Sequence, residues 1–198
     1  SPFGAKLGKK FVVSVEINPP PGLDATKEIE AAKRLVRAGV DVINTSDGPR
    51  ATARFSNLAF ALMLQRDVGI DPLLHVACRD RNLLGMLSHV LGAHVLGLRN
   101  LVVITGDPPK MGDYPEATAV YDLDSVGLLQ MVNNLNRGID PAGKPLGNQA
   151  QTAFVCATGA EPGALDFDRE MQRLKRKRDA GADLVMTQPV YDIALVER

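Results

Sequence analysis

The stretch Leu101-Val102-Val103-Ile104-Thr105-Gly106-Asp107-Pro108-Pro109 decides the fold of this chain. It begins as a short apolar run, which is typical of a strand buried on both faces of a parallel sheet. The run leads into a glycine that permits close approach of a ligand, then an acid, then two prolines that fix the departing chain. The stretch therefore indicates a buried strand whose carboxyl end carries a functional carboxylate.

The same pattern recurs along the sequence, because a polar side chain closes nearly every predicted strand. In a parallel α/β barrel the strand interiors fill a packed core, and polar groups at the carboxyl ends meet on one face where ligands bind. We therefore expect one site assembled from many strand ends. The residues concerned are Glu16, Ser46, Asp47, His75, Asp107 and Gln188.

A repeat of about thirty residues organises the chain into β-α units. Its marker is a glycine that closes a helical segment shortly before a new strand. The markers are Gly39, Gly69, Gly97 and Gly181. The periodicity predicts strands at 11–17, 41–46, 72–77, 100–105, 152–157 and 183–188, and helices at 24–38, 51–68, 81–96, 124–136 and 166–180.

This pattern predicts an α/β fold, a (β/α)8 TIM barrel over residues 1–198 that is truncated after about six strands. An open barrel leaves its first and sixth strands as unpaired edges, which natural proteins avoid. We therefore expect these residues to be part of a longer chain, or another polypeptide to complete the barrel. A smaller, open, doubly wound sheet is the alternative, disfavoured because no Gly-rich phosphate-binding fingerprint follows the first strand.

The composition is that of a soluble globular domain that interacts with neither nucleic acid nor membrane. The 198 residues are 45% hydrophobic, and 23 acidic residues balance 23 basic ones. No apolar run is long enough to span a bilayer, and the basic run Lys175–Arg178 is interpreted as solvated helix surface. Cys78 and Cys156 lack the spacing of disulfides or metal sites, which favours a reducing, cytoplasmic location and no metal.

Two carboxyl groups stand out as candidates for proton transfer and charge stabilisation. Glu16 ends an apolar strand before Pro19–Pro21, and partial burial there would make it a general acid; an ion-paired or solvated glutamate is the alternative. Asp107 also follows an apolar strand and precedes prolines, and we interpret its strand end as a neighbour of the one that carries Glu16. An aspartate that only starts a turn is the alternative. The amide of Gln188 suits the edge of a heterocycle, and His75 is expected to donate or accept at the third strand end.

Several segments resemble the methylenetetrahydrofolate reductase family, in order along essentially the whole chain. They are Val15–Pro20, Thr105–Pro109, Tyr121–Leu129, Leu174–Ala182 and Thr187-Gln188. Three others look closer still to the reductase half of bacterial bifunctional proteins that carry an N-terminal homocysteine methyltransferase. They are Cys78–Asn82, Gly112–Val120 and Gln188–Asp192.

The resemblance implies a flavin-dependent barrel that passes a hydride from NADH or NADPH to FAD and then to 5,10-methylenetetrahydrofolate. It implies that Glu16 is the general acid that opens the folate ring to its iminium form, that Asp107 favours this cation, and that Gln188 orients the pterin. The flavin contacts that it implies are Ser46, His75, Thr105, Gly106, Asp107, Tyr121, Asp122, Glu170 and Lys177. The partners are a small-molecule folate and either a homo-oligomer or a fused or associated homocysteine methyltransferase domain.

The sequence also departs from the family pattern. Better-known members have an arginine where this chain has Thr105, an aspartate where it has Glu170, and a His-Pro pair where it reads Cys156–Pro162. Two other classes of protein stay open: a non-redox folate-binding module, which the presence of both Glu16 and Asp107 disfavours, and a non-catalytic partner subunit of a methyltransferase complex. A visible absorption spectrum tests the first alternative, because a non-redox module would bind no flavin. Activity measured with and without a candidate partner tests the second.

Overall fold

Six parallel strands form one sheet in sequence order in the computed structural model, which describes residues 1–197. The strands are β1 (Ser14–Glu16), β2 (Val42–Thr45), β3 (Pro72–Ala77), β4 (Asn100–Ile104), β5 (Val155–Ala160) and β6 (Leu184–Thr187). A doubly wound sheet would reverse its strand order at a switch point, so the strictly sequential order excludes that alternative. The sheet curls into a half-barrel, which confirms the predicted fold class.

Helices connect the strands and cover the outer face of the sheet. They are α1 (Thr26–Arg37), α2 (Asn57–Met63), α3 (Leu83–Val95), α4 (Ser125–Asn136), α5 (Phe167–Asp179) and α6 (Ala194–Glu197). Asn82, Asp124 and Asp166 each accept a hydrogen bond from a backbone amide in the first helical turn, which satisfies an otherwise unpaired donor. No helix among residues 1–197 is long and apolar enough to cross a membrane.

The core is divided between the two faces of the sheet, because side chains alternate along each strand. The inward-facing cluster consists of Phe3, Val42, Leu73, Val102 and Ala157. Larger clusters on the outer face pack the strands against the helices. The register pairs His75 with Val102 and Val102 with Ala157, so His75 lies in a row of inward-facing residues. Polar side chains near the carboxyl ends therefore project into the mouth of the half-barrel.

Strand β5 begins three residues later than predicted, at Val155 instead of 152. The reason is the side chain of Asn136 at the end of α4. Its Oδ1 accepts from Thr152 Oγ1 at 2.7 Å and from the Phe154 amide at 2.9 Å, and its Nδ2 donates to the Phe154 carbonyl at 2.9 Å. These bonds hold residues 152–154 against the end of α4, so the strand begins only at Val155. It ends at Ala160, three residues later than predicted.

Two other boundaries differ because a local turn replaces regular structure. Helix α2 begins at Asn57, not at 51, because Gly48, Arg50 and Ala51 all adopt positive φ angles of 55° to 56° in a tight turn after β2. Strand β1 is limited to Ser14–Glu16 of the predicted 11–17. Phe11 is 88% exposed, so the first predicted residues of this strand lie outside the sheet.

Candidate active site at the strand ends

The carboxyl ends of the strands bring most of the predicted site residues to one face. Glu16 is the last residue of β1, Ser46 follows β2 directly, and Gln188 follows β6 directly. Asp107 lies in the loop after β4. These positions agree with the expectation that polar groups at parallel strand ends share one face of the sheet.

Glu16 and Asp107 do not lie at neighbouring strand ends, and that interpretation was wrong. The strand order places β2 and β3 between β1 and β4. The error arose because the two sequences resemble each other, whereas position in the sheet follows chain order. The two carboxyl groups therefore belong to separate parts of the mouth, with the ends of β2 and β3 between them.

Glu16 lies at the open edge of the half-barrel, and its side chain has no ion-pair partner among residues 1–197. Desolvation by the surrounding protein raises the pKa of its carboxyl group. Its neighbour in the register is Asn44, whose Oδ1 is buried without a hydrogen-bond partner in the described part of the chain. The environment favours a carboxyl group that keeps its proton to higher pH than an ordinary glutamate.

The carboxylate of Asp107 is exposed, but the loop after β2 holds it. Its Oδ2 accepts a hydrogen bond from the backbone amide of Arg50 at 2.9 Å. The carbonyl of Asp107 accepts from Nη1 of Arg79 at 3.2 Å. Asp107 therefore does more than start its own turn, because it links the loops that follow β2 and β4.

Gly106 gives the backbone before Asp107 a shape that other residues do not adopt easily. Its φ is +90°, and an added Cβ would lie 3.1 Å from the Cβ of Ala77 and 3.3 Å from the Cβ of Arg79. The Oη of Tyr121, itself at a φ of 46°, donates to the Gly106 carbonyl at 3.1 Å. The turn is therefore held by Ala77, Arg79 and Tyr121, and it leaves no room for a side chain at position 106.

His75 lies inside β3 and not at its end, so that prediction was wrong. Val76 and Ala77 follow it and pair with Val103 and Ile104 of β4, which extends the strand by two residues. Burial lowers the pKa of His75 to about 4, so its imidazole is neutral near pH 7. Its Nε2 is buried and has no hydrogen-bond partner within residues 1–197. A water molecule or a ligand in the mouth can supply that partner.

A cleft of about 210 Å³ brings together four of the predicted residues at the ends of β4, β5 and β6. They are Thr105, Glu170, Lys177 and Gln188. Glu170 accepts a hydrogen bond from the amide of Glu161 at 3.1 Å, which ties α5 to the end of β5. The cleft is therefore built from three strand ends, the first residue of α4 and one face of α5.

Lys177 is the inward-facing member of the basic run on α5. It is 6% exposed, and its Nζ donates to the carbonyl of Gly159 at 2.6 Å. Desolvation lowers its pKa, and the carboxylate of Glu170 opposes that change. The interpretation of Lys175–Arg178 as solvated surface is confirmed for the other three residues, which are exposed, and is wrong for Lys177.

Asp122 and Ser46 lie apart from this cleft. Asp122 accepts a hydrogen bond from the Leu83 amide at 2.9 Å and so binds the first turn of α3. Ser46 is buried, donates to Oδ1 of Asn18, and lines a separate cavity of about 340 Å³ beside the mouth. Of the predicted ligand contacts, Thr105, Glu170, Lys177 and Gln188 therefore line the first cleft, and Ser46 lines the second cavity.

Sequence reasoning missed the charged pair Arg79 and Arg81, which line this second cavity. Arg81 forms an ion pair with Asp47 at 2.8 Å, and Arg79 is buried at 4% exposure beside Asp80. The sequence signal that could have identified them is the alternation of charge in Arg79-Asp80-Arg81, which comes shortly after the apolar strand β3. Residues after a strand end in a barrel of this type lie at the ligand-binding face.

The hydrogen-bond donors of His75 and Lys177 suit a ligand that combines a flat heterocycle with an anionic group. His75 offers an unpartnered nitrogen inside the mouth, and an added Cβ at Gly159 would meet nothing within 4 Å. Lys177 supplies a cation in the adjoining cleft. Within residues 1–197, no group of three or more His, Cys, Asp or Glu side chains is arranged to hold a metal ion. These features fit the flavin that the sequence resemblance implies.

Comparison with known proteins supports that resemblance. The family model described as methylenetetrahydrofolate reductase matches residues 4–198. The chain is 25% identical over 196 residues to a probable methylenetetrahydrofolate reductase (NADPH) of Caenorhabditis elegans, covering 96% of this chain and 28% of that protein. It is 29% identical over 185 residues to methylenetetrahydrofolate reductase (NADH) 1 of Arabidopsis thaliana, covering 90% and 30%.

A bacterial relative gives a similar result. The chain is 24% identical over 190 residues to the 5,10-methylenetetrahydrofolate reductase of Pectobacterium carotovorum subsp. carotovorum, covering 96% of this chain and 58% of that protein. The chain therefore spans between 28% and 58% of the length of these three relatives.

Solved structures with a similar fold include members of other enzyme families. A 2,3-dimethylmalate lyase of the PEP mutase/isocitrate lyase superfamily matches with a TM-score of 0.59 at 11% identity, covering 94% of this chain and 60% of that one. A phosphoenolpyruvate phosphomutase from Streptomyces platensis subsp. rosaceus matches with a TM-score of 0.60 at 16% identity, covering 93% and 62%. At these identities the likeness concerns the fold alone.

Proposed function

Since the chain belongs to the methylenetetrahydrofolate reductase family, we propose that it reduces 5,10-methylenetetrahydrofolate to 5-methyltetrahydrofolate with NADH or NADPH as the electron donor and FAD as its cofactor. Residues 1–198 are then one reductase domain that contributes six strands of the barrel. The observation that carries the proposal is the convergence of Thr105, Glu170, Lys177 and Gln188 on one cleft at three strand ends. These residues come from the ends of β4 and β6 and from α5, and a common ligand explains why they meet.

FAD, when bound, supplies the hydride chemistry that protein side chains lack. The residues around it bind and orient. The neutral His75 offers one hydrogen bond from inside the mouth. The ammonium group of Lys177 complements a diphosphate, since charge-assisted hydrogen bonds to phosphate are strong.

The folate side of the reaction needs a proton and a fixed anion. Glu16 keeps its proton to higher pH than an ordinary glutamate and donates it as the five-membered folate ring opens. The carboxylate of Asp107, fixed by the Arg50 amide, stabilises the cationic iminium that results. Gln188 orients the pterin, because its amide offers both donors and an acceptor to a heterocycle edge.

A flavin titration tests this proposal. The purified protein is reconstituted with FAD, titrated anaerobically with NADH or NADPH, and then mixed with 5,10-methylenetetrahydrofolate. We expect the visible flavin band to bleach with the nicotinamide and to return with the folate. Folate binding without any flavin binding would favour the non-redox folate-binding module instead. Reduction that appears only after a partner is added would favour the non-catalytic subunit.

The proposal also includes the partner domain of the enzyme, its cellular location and its electron donor. Similarity of Cys78–Asn82 and Gly112–Val120 to bifunctional proteins supports a fused or associated homocysteine methyltransferase, and hence a role in methionine synthesis. Two free, buried cysteines support a cytoplasmic location. The relatives are named for both NADPH and NADH, so either donor fits. An assay for methyl transfer to homocysteine by the native protein tests the fused or associated methyltransferase. The mass of the protein in solution tests whether it forms a homo-oligomer.

A further inference from the structure

The guanidinium group of Arg79 makes five hydrogen bonds, which is the full number that an arginine can donate. Its Nε and Nη2 donate to the carboxylate of Asp80, both at 2.7 Å. Its Nη1 donates to the carbonyls of Gly48 at 3.1 Å and Asp107 at 3.2 Å. Its Nη2 also reaches the carbonyl of Asp47 at 3.5 Å. A buried charge is therefore completely satisfied by groups on three loops.

These bonds join the carboxyl ends of three successive strands. Asp47 and Gly48 follow β2, Arg79 and Asp80 follow β3, and Asp107 follows β4. The acceptors lie 28 to 32 residues from Arg79 in the sequence, so nothing local brings them together. Arg79 is therefore a crosslink between the loop that carries Asp107 and the loop that holds its carboxylate.

The backbone on both sides of Arg79 is shaped around its side chain. At Gly48, with φ at +56°, an added Cβ would lie 2.6 Å from Nη2 of Arg79. At Gly106, with φ at +90°, an added Cβ would lie 3.3 Å from the Cβ of Arg79. Arg50 and Ala51 adopt positive φ angles that non-glycine residues rarely hold unless their surroundings impose them. The loop after β2 is thus held in a strained shape from which the Arg50 amide meets Asp107.

A role in direct ligand binding does not fit this geometry. All five N–H donors of Arg79 are engaged by the protein, and Asp80 neutralises its charge at close range. The guanidinium group therefore has no donor left for a phosphate or a carboxylate. Arg79 can therefore affect a ligand only by fixing the positions of the residues to which it donates, which include Asp107.

We propose that Arg79 is a positioning residue, which fixes the Asp107 carboxylate against the Arg50 amide and so sets its place over the mouth. This inference rests on the proposed function, because it assigns to Asp107 the stabilisation of the folate cation. A displacement of about 1 Å at such a group lowers the rate on the order of 100-fold. Nicotinamide oxidation forms no folate cation for that carboxylate to stabilise, so we expect this step to tolerate the displacement.

The variant Arg79→Lys tests the proposal, because lysine keeps the charge but supplies three donors from one nitrogen. Arg66→Met is the matched control, since Arg66 also pairs with the carboxylate that follows it, Asp67, but is 74% exposed on the outer face. In Arg79→Lys we expect hydrogen exchange at the Arg50 amide to rise at least about tenfold, because its acceptor moves. We expect the folate half-reaction to fall on the order of 100-fold and flavin reduction by nicotinamide to change less than about threefold.

A double-mutant cycle with Asp107→Asn separates positioning from general damage to the fold. If Arg79 acts through Asp107, Arg79→Lys should change the folate half-reaction by less than about threefold in the Asp107→Asn background. Equal losses in both backgrounds would overturn the proposal. So would an Arg50 amide that exchanges as it does in Arg66→Met. If Arg79→Lys fails to fold, Asp80→Asn takes its place, and unchanged exchange at Arg50 in that variant would overturn the proposal.

The two proposals fail in distinguishable ways. A wild-type protein that binds no flavin and reduces no folate would refute the proposed function. The exchange measurement at the Arg50 amide needs no activity, so it still decides whether Arg79 holds the Asp107 carboxylate in place. An active wild type whose Arg79→Lys variant matches the Arg66→Met control would refute the positioning role alone.

Discussion

Lys177 donates a hydrogen bond from its Nζ to the carbonyl oxygen of Gly159 at 2.6 Å, which joins α5 to the carboxyl end of β5. The bond turns one of four consecutive basic side chains inward, and it leaves two N–H donors of the ammonium group for a ligand. Glu170, seven residues or about two turns earlier on α5, lines the same cleft and accepts a hydrogen bond from the Glu161 amide at the end of β5.

Replacement of Lys177 should weaken cofactor binding. We expect Lys177→Met to weaken FAD affinity by about tenfold or more, because it removes a charge-assisted contact to the diphosphate. Quenching of flavin fluorescence measures the dissociation constant. Lys175→Met is the control, since Lys175 is exposed on the same helix. Equal affinities of the two variants, with both proteins folded, would remove Lys177 from the cofactor site.

The fold and much of the strand-end geometry could be predicted because they follow from local patterns. Apolar runs closed by glycine, proline or a polar residue place Glu16, Ser46, Asp107 and Gln188 correctly at the ends of β1, β2, β4 and β6. The helix termini are also local, since a polar cap or a left-handed glycine marks them. Four of the five predicted helices therefore end within two residues of their observed bounds.

The rest depends on contacts between residues far apart in the sequence. Asn136 fixes the start of β5 through bonds to residues 16 and 18 positions away, and no periodicity reports them. Arg79 was missed for the same reason, because its carbonyl acceptors belong to the loops after β2 and β4. The burial of Lys177 among exposed neighbours likewise needs the position of Gly159. Sequence patterns predict which residues lie at the mouth, but not which of them bind each other.

The two half-reactions should respond differently to loss of the acid. We expect Glu16→Gln to leave flavin reduction by nicotinamide nearly unchanged and to slow folate reduction by roughly 10²- to 10⁴-fold, the range for general acid catalysis. Stopped-flow spectra of each half-reaction measure the two rates. Glu30→Gln, on the outer helix α1, is the control and should change neither rate. An equal loss in both half-reactions would contradict the assignment of Glu16 as the acid.

The folate half-reaction should also depend on pH through Glu16. Because the folded protein raises the pKa of this carboxyl group, the acid form persists to higher pH than in an ordinary glutamate. The single-turnover rate should therefore be greatest at low pH and fall as pH rises through the raised pKa. This decline should be absent in Glu16→Gln. A decline of the same size in the variant would mean that another group titrates.

Stability should fall in mild acid because two histidines are buried in the neutral form. Burial lowers the pKa of both His75 and His89 to about 4, below the value of 6.5 for an unperturbed imidazole. Between these pH values the unfolded chain binds more protons, so the free energy of unfolding should drop as pH falls from 6.5 towards 4. Denaturant titrations of His75→Asn and His89→Asn should each show a smaller drop than the wild type. An unchanged pH dependence in both variants would show that carboxyl groups cause the acid sensitivity.

Two glycines should respond in opposite directions to the same substitution. At Gly106 the φ of +90° and the contacts of a new Cβ at 3.1 Å and 3.3 Å oppose any side chain, so Gly106→Ala should lower the free energy of unfolding by about 1–3 kcal/mol. At Gly92, inside α3, a new Cβ would meet nothing within 4 Å, so Gly92→Ala should raise it by about 1 kcal/mol. Urea denaturation measures both. The rate of the folate half-reaction should fall only in Gly106→Ala, because the strain at this turn moves Asp107. A Gly106→Ala protein that is stable and fully active would show that the turn can relax without moving that carboxylate.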